Sequence, residues 1–196
     1  VMVTQIPEGY LFDGSGTDAA LVFYPGGKVE TEAYAPFMHR IADAGMDVFL
    51  VDMPFQLAFF DVNAANDVIS AYDYDHWFVG GHSLGGAMAD SFAAGDDEIE
   101  GLFLCGAYPT KPLDGEMTEV LLYGSNDEVV NRQKIISARA FAPKDYTEAE
   151  ITGGNHAYFG NYGTQRGDGT AQISPAQQQE EAVRILTEHL IKDYDE

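Results

Sequence analysis

Gly81-His82-Ser83-Leu84-Gly85 is the stretch that decides how this chain folds. It follows the β-prone run His76–Gly80 and precedes a run of small, helix-prone residues from Gly86 to Ala94. The pattern G-x-S-x-G between a strand and a helix is typical of a tight turn that thrusts the serine hydroxyl outward. Both glycines are needed there, because a Cβ would collide with the adjoining strand or helix. The pattern predicts a nucleophilic Ser83; the alternative is an ordinary β–α turn.

The composition indicates one folded unit and restricts the partners. The 196 residues fit a single domain, 1–196, and a hydrophobic content of 45% is enough for a full core. The formal net charge of −22 excludes nucleic acid as an expected partner and disfavours anionic membrane surfaces and highly anionic substrates. The oligomeric state is left open.

Several other site types are not expected. The single cysteine, Cys105, excludes an internal disulfide and lies in an apolar run, which indicates a buried structural thiol. The sequence contains neither an H-x-x-x-H pattern nor a metal-binding Cys/His spacing, so no metal site is expected, and no cofactor is predicted. No apolar run approaches the ~18 residues of a membrane span, and no signal peptide is recognisable. The compartment is left open.

Apolar runs alternate with helical patterns along the chain. Ala19–Tyr24 is apolar throughout, as expected for a strand buried on both faces of a parallel sheet. The order predicts a mostly parallel sheet with helices on both faces. A connection of about fifteen residues after Cys105 is too short for a lid domain. Further strands are predicted within 2–12 and at 47–51, 76–80, 99–105, 120–123 and 146–151, and helices at 36–44, 64–72, 86–94, 131–141 and from 175 to about 190.

A serine nucleophile needs a base and an acid that orients the base. Such groups gather beyond the carboxyl ends of parallel strands. Asp127 follows one predicted strand, and His156 follows the last strand in Gly153-Gly154-Asn155-His156-Ala157. Glu128 and Asp114 are alternatives for the acid. The other histidines lie within helices, at a strand start or beside the serine, where packing or surface roles are expected.

The oxyanion of an acyl-transfer reaction needs backbone N–H donors. The first is expected from Leu84, the residue after the nucleophile, and the second from the loop Pro25-Gly26-Gly27-Lys28 after an early strand. Gly27 is the preferred donor and Lys28 the second choice. An ordinary turn explains the two glycines equally well.

Four motifs in order resemble those of small α/β-hydrolases of the serine esterase and lysophospholipase-like kind. They are Tyr24–Glu30 (YPGGKVE), Gly80–Gly86 (GGHSLGG), Gly153–Ala157 (GGNHA) and the glycine-rich Tyr162–Gly169. The resemblance covers nearly the whole chain and implies the α/β-hydrolase fold without a cap domain. Relatives resembling dienelactone hydrolases carry cysteine as nucleophile, and this chain has Ser83 there instead. Some similar proteins carry an N-terminal signal or membrane anchor.

These observations predict a hydrolase of small or short-chain carboxylic esters. Aromatic residues near the site, Phe59, Tyr158 and Phe159 among them, are candidates for substrate binding, and core packing is the alternative role. Thioester, lactone and amide substrates require the same machinery. A non-catalytic binding protein on the same fold is the second hypothesis.

Overall fold

The computed structural model describes residues 1–14 and 18–191, and these residues form one eight-stranded sheet. Its strands are β1 (Met2–Ile6), β2 (Gly9–Asp13), β3 (Ala19–Tyr24), β4 (Asp47–Val51), β5 (His76–His82), β6 (Ile99–Cys105), β7 (Thr118–Gly124) and β8 (Asp145–Ile151). The order across the sheet is β1-β2-β4-β3-β5-β6-β7-β8. Strands β3 to β8 are parallel, whereas β1 and β2 join the edge beside β4 as an antiparallel pair. The predicted mostly parallel sheet is confirmed.

Helices cover both faces of the sheet, as predicted. Helices α1 (Ala35–Asp43) and α5 (Pro175–His189) place Phe37, Ile41 and Leu186 in the core of one face. Helices α2 (Ala64–Ala71), α3 (Leu84–Ala93) and α4 (Arg132–Ala138) cover the other face. Each helix buries one apolar stripe, which is the usual way in which a parallel sheet is shielded from water on both sides.

Capping side chains set the limits of two helices. Ser174 and Gln177 form a capping box at the start of α5, with N–H to oxygen distances of 3.2 and 2.9 Å. Asn131 caps α4 by accepting from the Lys134 N–H at 3.1 Å. The helix predicted over 131–141 is shorter, because α4 ends at Ala138 and a 3₁₀ turn follows over Arg139–Phe141.

No cap domain interrupts the described part of the chain. The connection between β6 and β7, residues 106–117, contains no helix. Among residues 1–14 and 18–191, no helix has the length and apolar content that crossing a membrane would require. In this part of the chain no cap domain covers the carboxyl ends of the parallel strands, and Ser83, Asp127 and His156 follow those ends.

Candidate active site

Ser83 stands at a strained turn between β5 and α3. Its backbone has φ 54° and ψ −119°, a left-handed conformation that few residues other than glycine adopt. The Ser83 N–H donates to the Cys105 carbonyl at 2.9 Å, so pairing with β6 extends into the turn. A Cβ on Gly85 would lie 2.1 Å from the Tyr24 carbonyl oxygen, and one on Gly81 would lie 2.5 Å from the Gly85 carbonyl carbon. Close packing of backbone therefore explains both glycines.

His156 and Asp127 form a buried pair. The ring nitrogen Nδ1 of His156 lies 2.8 Å from Oδ2 of Asp127, and the two side chains are 1% and 0% exposed. The other carboxylate oxygen accepts the N–H groups of Val129 and Val130 at 2.9 and 2.8 Å. These bonds fix the carboxylate. An ionised carboxylate only accepts hydrogen bonds, so Nδ1 of a neutral His156 carries the proton and Nε2 has a free lone pair.

Ser83 and His156 line the same cleft, whose volume is about 290 Å³. Nε2 of His156 is buried and has no hydrogen-bond partner among residues 1–14 and 18–191. The Ser83 hydroxyl is therefore not hydrogen-bonded to it in the free protein. Such bonds are often long in free enzymes and tighten in the substrate complex. The cleft that Ser83 lines thus also contains an imidazole whose Nε2 has no hydrogen-bond partner among the described residues.

A glycine after β6 makes room for the imidazole. His156 follows β8, and two strands separate β8 from β5, which carries Ser83. Gly106, with φ 56°, lies at the end of the intervening β6, where a Cβ would be 2.8 Å from Nδ1 of His156 and 3.3 Å from Oδ2 of Asp127. The missing side chain is what allows the His–Asp pair to reach across the sheet towards the serine.

The two alternative acids lie elsewhere. Asp114 accepts the N–H of Glu116 at 2.8 Å and lines a different groove, together with Asp96 and other acidic residues. Glu128 is exposed, although it is the neighbour of Asp127. Of the three carboxylates, Asp127 is the one that contacts the imidazole.

Leu84 and Gly27 are neighbours across the turn. Leu84 is the first residue of α3, where no carbonyl one turn earlier is available to its N–H within the helix. A Cβ on Gly27 would lie 3.0 Å from Cδ2 of Leu84, so the two residues are in close contact. The helix N-terminus and the loop after β3 thus meet beside Ser83.

Within that loop, two of the three backbone N–H groups are already engaged. The Gly26 N–H donates to the Tyr34 hydroxyl at 3.0 Å, and the Lys28 N–H donates to the Gln56 carbonyl at 2.7 Å. Gly27 lies between them, so its N–H is the donor of this loop that remains for a substrate oxygen. This geometry favours Gly27 over Lys28.

The predicted aromatic residues occupy three different surroundings. Phe59 is 49% exposed and stacks on Phe60 with ring centroids 4.4 Å apart, whereas Phe159 is fully buried against Phe37 at 6.3 Å. Tyr158 is half-buried. The structure places none of the three predicted residues in the wall of the cleft. Besides Ser83 and His156, the wall consists of Leu84, Ala87, Gly106, Ala107, Tyr108, Thr110, Val129, Val130 and Asn131.

Asp168 is a site residue without a predicted role. Its Oδ1 accepts the N–H groups of His156 at 3.2 Å and Gly169 at 2.8 Å, with Glu128 more distant at 3.4 Å. Its Oδ2 accepts the N–H of Ala157 at 2.9 Å. The Asp168 carboxylate therefore connects the loop that carries His156 to the turn that carries Asp127. The sequence signal was present in the glycine-rich motif ending at Gly169, but that motif does not reveal which backbone groups Asp168 binds.

The remaining chemical groups of the described chain do not suggest another reaction centre. Residues 1–14 and 18–191 contain no group of three or more His, Cys, Asp or Glu side chains that could hold a metal ion. Burial raises the pKa of the Cys105 thiol well above its ordinary value, which keeps the thiol protonated and unreactive.

Comparison with known proteins agrees with this fold. The profile described as "Alpha/beta hydrolase family" matches residues 20–180. The chain belongs to the alpha/beta hydrolase family. Comparison with curated protein sequences gave no match.

Three solved structures share this hydrolase fold at low sequence identity. A monoacylglycerol lipase from Paleococcus ferrophilus has a TM-score of 0.69 and 15% identity, with 96% of this chain and 100% of that chain covered. The esterase domain of a Rhodothermus marinus protein has a TM-score of 0.65 and 15% identity, with 90% of this chain and 89% of that chain covered. A thioesterase of prodiginine biosynthesis in Streptomyces coelicolor has a TM-score of 0.64 and 15% identity, with 91% of this chain and 93% of that chain covered. Together with the family membership, these likenesses support a hydrolase.

Proposed function

We propose that the protein is a serine hydrolase that cleaves small carboxylic esters through an acyl-enzyme. The observation that carries the proposal is the buried His156–Asp127 pair at 2.8 Å, whose unpartnered Nε2 shares a cleft with Ser83. This is the set of roles that acyl transfer by a serine requires: a nucleophile, a base and an acid that orients the base.

In the first half of the reaction, Nε2 of His156 takes the hydroxyl proton as Ser83 attacks the ester carbonyl. The negative charge that develops on the carbonyl oxygen is held by the N–H groups of Leu84 and Gly27. Each such donor typically contributes about 10²–10³ in kcat. Asp127 keeps the ring in the reactive tautomer and stabilises the imidazolium. The protonated His156 then gives its proton to the leaving alcohol, and the acyl group stays on Ser83.

The second half of the reaction repeats the first with water. His156 removes a proton from water, the hydroxide attacks the acyl-enzyme, and the carboxylic acid leaves as Ser83 regains its proton. Lactones, which are cyclic esters, pass through the same steps, and thioesters and amides do so with sulfur or nitrogen as the leaving atom. The substrate class is therefore a matter for direct assay.

The shape of the cleft favours a small acyl group. Its volume of about 290 Å³ is at the lower end of ordinary ligand pockets. Ala87 and Ala107 make part of its wall apolar, and Thr110 and Asn131 add polar groups. The formal charge of −22 disfavours strongly anionic substrates.

The test is hydrolysis of p-nitrophenyl acetate, butyrate and octanoate by the wild type, Ser83→Ala and Ser91→Ala. Ser91 lies on the same helix as the site but outside the cleft, so it is the matched control. We expect activity to fall from acetate to octanoate, to be abolished by Ser83→Ala and to be retained by Ser91→Ala. Labelling by a fluorophosphonate should follow the same pattern. Undiminished activity or labelling in Ser83→Ala would refute the proposal. Thioester, lactone and amide substrates in parallel would define the class.

A further inference from the structure

Two buried side chains connect the loop of the proposed oxyanion donor to the loop of the base. The Gly26 N–H donates to the Tyr34 hydroxyl at 3.0 Å, and that hydroxyl lies 2.7 Å from Nδ1 of His82. The His82 ring lies against the His156 ring, with centroids 4.6 Å apart and planes at 45°. Tyr34 is 0% exposed and His82 is 1% exposed, so solvent does not compete for these contacts.

The direction of each hydrogen bond follows from the donors available. The Tyr34 oxygen accepts the Gly26 N–H proton, and Nδ1 of His82 is within hydrogen-bond distance of the hydroxyl, so we assign the hydroxyl proton to the bond with Nδ1. Nδ1 is therefore an acceptor, and the proton of a neutral His82 ring sits on Nε2. Burial, followed by the nearby His156, lowers the pKa of His82 well below its ordinary value. The ring is therefore neutral at physiological pH.

The other end of the His82 ring meets the base loop. The His156 backbone lies near enough to the His82 ring to oppose, in part, the lowering of the His82 pKa. Among residues 1–14 and 18–191, Nε2 of His82 has no hydrogen-bond partner. The order of contacts is thus Gly26 backbone, Tyr34 hydroxyl, His82 ring and His156 loop.

The sequence leaves space for this arrangement at Gly26. A Cβ there would lie 2.6 Å from the Tyr34 hydroxyl oxygen and 3.0 Å from Nδ1 of His82. Any side chain at this position would push the tyrosine and histidine away from the loop. Packing alone would not require the hydroxyl and Nδ1 to lie 2.7 Å apart.

We propose that Tyr34 and His82 are positioning residues that hold the Gly26–Gly27 backbone and the His156 loop at a fixed separation. Neither residue lines the cleft, and His82 acts through its contact with the His156 ring. Tyr34 holds the Gly26 N–H and the Gln56 carbonyl holds the Lys28 N–H, so the backbone is anchored on both sides of Gly27, whose N–H is the one that would face the developing oxyanion. The proposal rests on the function proposed above. Its expected effect is on kcat, since the oxyanion forms only in the transition state.

The kinetic test compares Tyr34→Phe with Tyr162→Phe. Tyr162 is the matched control, because its ring lies 6.3 Å from both Tyr34 and His82 while its hydroxyl bonds to Gln165 instead. For Tyr34→Phe we expect kcat to fall about 10-fold to 100-fold with little change in KM, less than the loss of an oxyanion donor itself. Tyr162→Phe should retain kcat. Equal effects of the two substitutions would overturn the proposal, as would an unchanged kcat in folded Tyr34→Phe.

Two substitutions of His82 test whether the hydrogen bond at Nδ1 contributes to activity. His82→Asn keeps an acceptor near the position of Nδ1, and His82→Leu removes both polar ends. We expect His82→Asn to retain more kcat than His82→Leu at equal folded fraction, measured by thermal unfolding. If the two are equally impaired, the bond from Tyr34 does not position the loop.

A measurement that does not depend on activity distinguishes failure of the positioning proposal from failure of the proposed hydrolase function. The ¹⁵N shifts of the histidine rings, recorded between pH 5 and 9, should show His82 neutral throughout with Nδ1 unprotonated, and Tyr34→Phe should move the Nδ1 signal. A protonated Nδ1, or an ordinary titration of His82, would overturn the arrangement even in an active enzyme. Failure of Ser83 to react with fluorophosphonate would instead reject the hydrolase mechanism and leave this measurement valid.

Discussion

Nδ1 of His156 lies 2.8 Å from Oδ2 of Asp127, and both side chains are shut off from solvent. The two residues follow adjacent parallel strands, β8 and β7, so neighbouring strand ends bring them together. Burial strengthens this pairing because water does not screen it. The relationship accounts for the orientation of the ring and leads to the first prediction.

Asp127→Asn is expected to lower kcat about 10³-fold to 10⁴-fold. The amide can donate as well as accept, so it no longer selects the tautomer with a free Nε2. Initial rates on p-nitrophenyl acetate measure the loss. Asp114→Asn and Glu128→Gln are the controls, and both should remain close to the wild type. A large loss in either control with a mild effect at Asp127 would assign the acid elsewhere.

Gly106→Ala is expected to lower kcat about 100-fold by displacing His156, since misplacing a catalytic group by about 1 Å costs roughly this much. The new Cβ would lie 2.8 Å from Nδ1. Gly163→Ala is a matched control, because Gly163 also has a positive φ (83°), but a Cβ added there would have no neighbour within 4 Å. Both variants carry the backbone strain, and only Gly106→Ala should lose activity. Equal rates would show that the ring tolerates the methyl group.

Asp168→Asn is expected to reduce both stability and turnover. Its carboxylate accepts backbone N–H groups from His156, Ala157 and Gly169, and an amide would turn its own N–H₂ towards some of these donors. We expect a loss of about 1–3 kcal/mol in unfolding free energy and about 10-fold in kcat. Denaturant unfolding and initial rates measure the two effects. Asp96→Asn, at a surface turn where Asp96 accepts the Glu98 N–H, should change neither the unfolding free energy nor the rate. Wild-type behaviour of Asp168→Asn would remove it from the site.

Glu119→Gln is expected to make stability less dependent on pH. Burial, followed by the charges of Asp90 and Glu148, raises the pKa of Glu119 to about 8 from an ordinary value of 4.5. Between these values the unfolded chain loses the proton while the folded chain keeps it. Stability therefore falls as pH rises through this window, by up to about 1.4 kcal/mol per pH unit. The loss is complete above the folded pKa.

The measurement is unfolding free energy from pH 5 to pH 9 for the wild type and two variants. Glu119→Gln should flatten the curve and unfold at higher denaturant than the wild type at pH 8. Glu116→Gln alters an exposed carboxylate and should leave the curve unchanged. Parallel curves for wild type and Glu119→Gln would show that Glu119 is ionised in the folded protein.

The strands, the helices and the candidate triad could be predicted from the sequence because each has a recognisable local pattern. Ala19–Tyr24 is apolar throughout, and Asp127 and His156 each follow a strand closely. Parallel topology then places residues that follow strands at one edge of the sheet. The aromatic residues have no such signal: Phe159 is buried and Phe59 is exposed, and composition does not distinguish them.

The hydrogen bonds that hold the site loops in place could not be predicted from the sequence, for a different reason. The bond between Tyr34 and His82 joins residues 48 positions apart, and the bond between Asp168 and the Ala157 N–H depends on the path of an irregular loop. Neither follows a helical or strand periodicity. Such contacts depend on where loops cross after folding, which patterns along the chain do not encode.

The position of β8 at the outer edge of the sheet has a further consequence. Apart from Ile151, its side chains are only partly buried or exposed, and a single neighbouring strand holds it. His156, the proposed base, therefore follows an edge strand, whereas Ser83 follows the interior strand β5. Local opening at this edge would remove His156 from the cleft without separating the interior strands, and we expect activity to be lost at or before global unfolding.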